Sequence, residues 1–147
     1  MNYLKESTFK TDFGHLIMRL TFGLTMLIAH GWPKFVSFGE RAASFPDILG
    51  IGSTANLALV VFAEVLCAGL IAIGLFTRMA CVPLLITMLV AFFVIHGEDP
   101  FQKKEMAFLY LCAYAAIFFS GPGKFSIQNI FKISVSSRLV PLNWLLK

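Results

Sequence analysis

Six ionisable side chains interrupt or end the long apolar runs of this sequence: Arg19, His30, Lys34, Glu64, His96 and Glu105. Charge is costly in an apolar medium, so such groups turn toward a protein interior and take partners. At about 100° per residue, His15, Arg19, Gly23, Met26, His30 and Lys34 share an arc of roughly 100° on one helix. The opposite face, with Ile17, Leu24 and Ile28, suits lipid. Glu64 shares a face with Cys67, Ala68, Ile71 and Ala72. Ala68 and Ala72 form a small-xxx-small surface, and Gly23 lets another backbone come close. Antiparallel neighbours rising ~1.5 Å per residue place Arg19 within a side chain's reach of Glu64. An Arg19–Glu64 pair is therefore expected. Two readings of it stay open: a pair that fixes helix register, and a pair that lines a ligand pocket.

A second cluster gathers at the other ends of the apolar runs: His30, Lys34, His96, Glu98, Asp99, Lys103 and Glu105. Two histidines beside acids can hold a metal or pass protons. Neither HxxxH nor HExxH occurs, so no metal is assigned and interfacial hydration stands as the plain alternative. The stripe Arg19–Met26–His30, facing Glu64 and His96, would enclose a mostly apolar pocket with a hydrated mouth at Lys34 and Glu105. Such a pocket suits a ligand with a polar head and a greasy tail, a quinone or a lipid. No phosphate-binding loop and no nucleophile elbow occurs. No two histidines sit deep in facing segments as haem ligands would.

The elements that must carry these residues are apolar helices. The chain has 147 residues, 58% hydrophobic and 14% charged, where a soluble domain has about a quarter of its residues charged. Four continuous apolar segments run over about 13–32, 55–76, 79–96 and 105–120. Each approaches the ~20 residues that cross a hydrocarbon core. The expected fold is all-α: an integral membrane four-helix bundle with a long first extracytoplasmic loop from Pro33 to about Thr54. Gly121-Pro122-Gly123 ends the last helix. Pro83 falls near the start of the third helix, where its missing N–H costs little. The expected division is an N-terminal segment 1–12, a transmembrane domain 13–123 and a tail 124–147 that lies on the membrane surface or stays partly disordered. No cleavable signal peptide is expected. Lys and Arg in the short connections number seven on the side of the N-terminus and four on the other, which places both termini in the cytoplasm. The net charge of +4 comes from scattered basic residues and suits anionic headgroups, not nucleic acid. Cys67, Cys81 and Cys112 lie apart in apolar runs and read as small packing residues.

Four stretches make the sequence resemble the DoxX family of small bacterial membrane proteins. They are Arg19-Leu20, Gly23 and His30-Gly31 with Lys34-Phe35; Ala63-Glu64, Gly69 and Gly74-Leu75-Phe76-Thr77-Arg78; the helix ending at His96; and Gly121-Pro122-Gly123-Lys124-Phe125-Ser126. The resemblance spans roughly Phe13 to Gln128. The family pattern continues to an Asp two residues after that Ser, and here Gln128 stands there. The resemblance implies a four-helix bundle, multi-pass, in the bacterial inner membrane, and a loose link to redox metabolism. The function expected is an accessory subunit of a quinone- or thiol-linked membrane redox system, at most a non-catalytic or quinone-interacting subunit of an oxidoreductase. Its partners would be the lipid bilayer, redox subunits or further copies of itself, and its cofactor a quinone. The competing readings are a structural or assembly protein without ligand, and, ranked last because no inverted repeat or broken helix is visible, a small-molecule transporter.

Overall fold

The computed structural model describes residues 2–131, with side chains from Phe9 onward. Of the tail expected over 124–147, residues 132–147 fall outside the described residues. Those described are helical, without strands. Four long helices carry the fold. α1 runs through Asn2–Thr25, a wider π-helical turn Met26–Gly31, and Trp32–Val36. α2 is Ser53–Ile73, α3 Thr77–Ile95 and α4 Phe101–Ser120. The first three are long and apolar enough to cross a membrane. α4 carries Lys103, Lys104 and Glu105 near its start, which leaves a shorter apolar stretch.

Two boundaries and the place of one proline differ from the sequence reading. α1 passes through Pro33 and ends at Val36, so the first connection is shorter than 33–54. A proline inside a helix lacks one N–H and crowds the carbonyl four residues back. The π-helical turn just upstream, in which the Trp32 N–H reaches Leu27 O, widens the backbone there. A short helical turn, Phe38–Arg41, then follows. α4 starts one turn earlier than expected, at Phe101 after the extended Pro100. Pro83 lies inside α3, beyond its first turn, and the Thr87 hydroxyl donates to its carbonyl at 2.9 Å.

Large apolar side chains remain exposed on all four long helices, among them Ile17, Leu24, Ile28, Phe62, Leu66, Ile86, Phe93, Leu109 and Phe119. A band of this extent faces lipid or a partner, not water. The opposite faces meet in a core of Met26, Cys67, Ala68, Ile71, Cys81, Leu84, Tyr110, Tyr114 and Ile117. Cys67 and Cys81 pack in this core as free thiols, while Cys112 is exposed. Tyr114 is fully buried and donates to Phe22 O at 3.2 Å, and Tyr110 donates to Thr25 Oγ1 at 2.9 Å. These bonds tie α4 to α1 and satisfy two hydroxyls that would be costly alone.

Small residues set the α1–α2 contact. A Cβ on Gly23 would lie 2.9 Å from Ala68 O and Ala72 N, and one on Gly31 2.5 Å from Glu64 O. Gly31 thus faces Glu64, while Gly23 faces Ala68 and Ala72. Gly23→Ala is expected to push the helices apart and cost about 1–3 kcal/mol, the usual range for overpacking. Reversible unfolding in detergent checks this, and a variant as stable as the parent would show the contact to be loose.

Candidate functional site

The close approach at Gly31 brings the one buried carboxylate of α2 to a cation. Glu64 is 5% exposed and lies on a π-helical turn, Phe62–Cys67. Lys34 stands one helical turn beyond Gly31 on the same face. Its Nζ reaches Glu64 Oε2 at 2.6 Å and His30 O at 3.3 Å. The Lys34 side chain is 24% exposed, and that of Glu64 6%. An ammonium has three donors, so one N–H of Lys34 is left over. Glu64 Oε1 takes no hydrogen bond from any described residue and is not sealed in the packing.

Lys34 and Glu64 form the polar corner of a pocket of about 510 Å³. Its walls are α2, with Leu59, Val60 and Ala63, and α3, with Pro83, Ile86, Thr87 and Val90. Phe45, Pro46, Ile48 and Leu49 of the first connection complete it. That connection is pinned to the start of α2. Asp47 accepts from Ile51 N, Gly52 N and Asn56 Nδ2, and Asn56 Oδ1 accepts from Leu49 N. Gly50 and Gly52 have φ of 67° and 95°, values that a side chain would resist, and so make the turn passable.

The expected Arg19–Glu64 pair does not form. Arg19 is 1% exposed and lies near the opposite end of α2, where Nη1 donates to Ile71 O at 3.3 Å and Ala72 O at 3.1 Å. Nη2 donates to Phe125 O at 2.5 Å. The helices are antiparallel as expected, but Gly31 stands level with Glu64. Arg19 is twelve residues back, roughly 18 Å along the axis at ~1.5 Å per residue. Its partner is a helix end. α2 closes with a left-handed Gly74, with Leu75 N bonded to Leu70 O and Gly74 N to Ile71 O. Arg19 caps the last carbonyls, which carry the negative end of the helix dipole. Arg78 does the same for α4, donating to Phe118 O and Phe119 O.

The remaining candidates separate. Met26 belongs to the packed core. His30 stacks edge-on against Tyr110, 5.6 Å between centroids, and offers its carbonyl to Lys34. His96 turns to its own connection, 2.9 Å from Asp99, which also meets Lys103 at 3.1 Å. The hydrogen bond from His96, then that from Lys103, holds the Asp99 carboxyl below its ordinary range. Glu105 is exposed. Of the seven candidates only Lys34 and Glu64 line the pocket, which lies between α2 and α3 and not between α1 and α3.

Several working residues carried little sequence signal. Asp47 and Asn56 are marked only by the Gly50 and Gly52 turn between them. Gln128 accepts from Phe76 N, and its own N–H bonds Gly74 O. That hydrogen bond helps hold Phe76, a non-glycine residue at φ 48°. Gln128 thus has a structural part at the end of α2. Asp12 accepts from Lys124 N at 3.1 Å and pairs with its Nζ at 3.3 Å, which docks residues 121–126 beside Arg19.

Of the stretches that gave the family likeness, Arg19, the Gly74–Arg78 turn and the Gly121–Ser126 segment meet at one end of the helices, Lys34 meets Glu64 near the middle of α2, and His96 turns to its own connection. No curated protein and no solved structure matches the chain. The DoxX family model matches residues 14–97, more than half of the chain and the span from within α1 to just past the end of α3. With its lipid-facing apolar helices, this protein is a membrane protein of the DoxX family.

Proposed function

We propose that this protein binds an amphiphilic ligand between α2 and α3 as an accessory, non-catalytic subunit of a quinone- or thiol-linked membrane redox system. The observation that carries the reading is the Lys34–Glu64 pair at the corner of a mostly apolar pocket of about 510 Å³. A quinone ring with part of its chain fits such a volume, since ligand sites run about 300–1,000 Å³. Lys34 and Glu64 would hold the ring's polar edge, Leu59, Val60 and Ile86 its chain. A bound quinone would supply two-electron carrier chemistry, and the chain's own part is to orient the ring and keep water from it. Protein purified from native membranes is expected to yield extractable quinone near one per chain. Ile86→Trp, which fills the pocket from an exposed position, should cut that at least about fivefold with the fold intact. Quinone at background in the parent, or retention unchanged by Ile86→Trp, would sink the reading.

A structural role without ligand is the second reading. What favours it is that Arg19, Arg78, Gln128 and Tyr114 are all engaged in holding helices together.

The same reading includes a four-helix transmembrane bundle over 13–123, in the bacterial inner membrane, with 1–12 and 124–147 in the cytoplasm. The positive-inside rule supports that orientation. The expected result, in a background without native cysteines, is that Ser7→Cys and Ser137→Cys are protected from an impermeant thiol reagent added outside cells, while Glu98→Cys reacts. The reverse pattern would invert the topology.

A further inference from the structure

The polar corner of the pocket says what kind of head group it accepts. Lys34 and Glu64 carry opposite charges, and no other charged residue among those described lines the pocket. A carboxylate or ammonium brought beside them would enter an apolar cavity without a counter-ion, which is costly. An uncharged head meets no such barrier. Two hydrogen-bonding positions remain for it. One is the spare N–H of Lys34, whose other two donors go to Glu64 Oε2 and His30 O. The other is Glu64 Oε1, which takes no bond from the described residues. An ionised carboxylate oxygen can only accept. A ligand carbonyl placed against it sets two acceptors face to face, whereas a ligand hydroxyl donates to it and still accepts from Lys34.

We propose that the pocket selects an uncharged amphiphile with a hydroxyl on its head group, and so prefers a hydroquinone to the quinone of the same skeleton. This rests on the ligand-binding reading above and deepens it. The remaining pocket polarity does not compete for the head. Thr87 gives its proton to Pro83 O, and Asn56 is engaged with Asp47, Gly52 and Leu49. The charged corner is therefore where a head group can be told from its oxidised form, because Glu64 Oε1 is a side-chain acceptor that cannot also donate.

The probe is a decyl-substituted 1,4-benzoquinone and its hydroquinone, titrated separately and without oxygen by calorimetry into protein in lipid nanodiscs. Nanodiscs holding Ile86→Trp, which fills the pocket, provide the partition blank. The hydroquinone is expected to bind about tenfold or more tightly than the quinone, as befits one hydrogen bond to a charged group gained against an acceptor clash. In Glu64→Gln the amide can accept from Lys34 and donate into the pocket, so the preference should shrink below about threefold or reverse. A variant eluting and unfolding like the parent confirms that the fold persists. Equal binding of the two forms by the parent, or a preference that survives Glu64→Gln, overturns this inference and leaves ligand binding standing. Heats for both forms no greater than the blank overturn the ligand reading with it.

Discussion

Arg19→Met is expected to unfold about 3–4 kcal/mol more easily than the parent protein and to release the segment after α4. Arg19 makes three hydrogen bonds, to Ile71 O, Ala72 O and Phe125 O. Each hydrogen bond from a charged donor contributes about 1.5–3 kcal/mol. Coupled bonds do not add in full, and removing a buried cation recovers some desolvation, so the sum falls short of three such bonds. Methionine fills the volume but leaves the end of α2 and the Phe125 carbonyl unserved. Lysine keeps the charge, yet its point-like ammonium cannot fork to both sides as a guanidinium does; Arg19→Lys should recover less than half of the loss. Two measurements check this: reversible unfolding in detergent, and cleavage at Lys124, whose side chain is 69% exposed while its backbone N–H is held by Asp12. Faster cleavage at Lys124 together with lowered stability is the expected outcome. Stability within about 0.5 kcal/mol of the parent, the range of ordinary surface substitutions, would show that Arg19 holds nothing.

The second large effect concerns Lys34 and Glu64. Glu64→Ala should cost about 3 kcal/mol, the lower end of the range for breaking a buried pair. The lower end is appropriate because the Lys34 side chain is 24% exposed and can rehydrate. Lys34→Met should cost at least as much, since it strands a carboxylate whose side chain is only 6% exposed. The double variant Lys34→Met/Glu64→Leu removes both charges and is expected to recover at least half of either loss. Arg19→Met combined with Glu64→Ala, by contrast, should show losses that simply add, because those two residues lie far apart. A double-mutant cycle by reversible unfolding reads both comparisons. Coupling between Arg19 and Glu64, or its absence between Lys34 and Glu64, would contradict the pairing described.

The sequence by itself determined the membrane class, the helical fold and the polar face of α1. Long apolar runs are too costly to expose to water, and helical periodicity places side chains by spacing alone. It also marked Gly23, Ala68 and Ala72, because small residues at that interval leave a groove that another backbone fills. It could not determine which charge meets which. His15, Arg19, His30 and Lys34 share one arc, so periodicity makes each of them a candidate for Glu64. The choice depends on axial register, and an error of a few residues at each helix end moves a side chain by several ångströms. Register was decided in the tertiary structure by the Gly31 contact with the backbone of Glu64 and by the passage of α1 through Pro33, which carries Lys34 onto the helix instead of into a loop. The role of Arg19 was hidden for a related reason. Its partners are backbone carbonyls, which every residue carries and no side-chain pattern reports. The pocket belongs to the tertiary structure as well, for its walls come from α2, α3 and a connection whose course rests on the Asp47–Asn56 hydrogen bonds. Spacing along one helix says which way a residue points; only packing decides what stands opposite it.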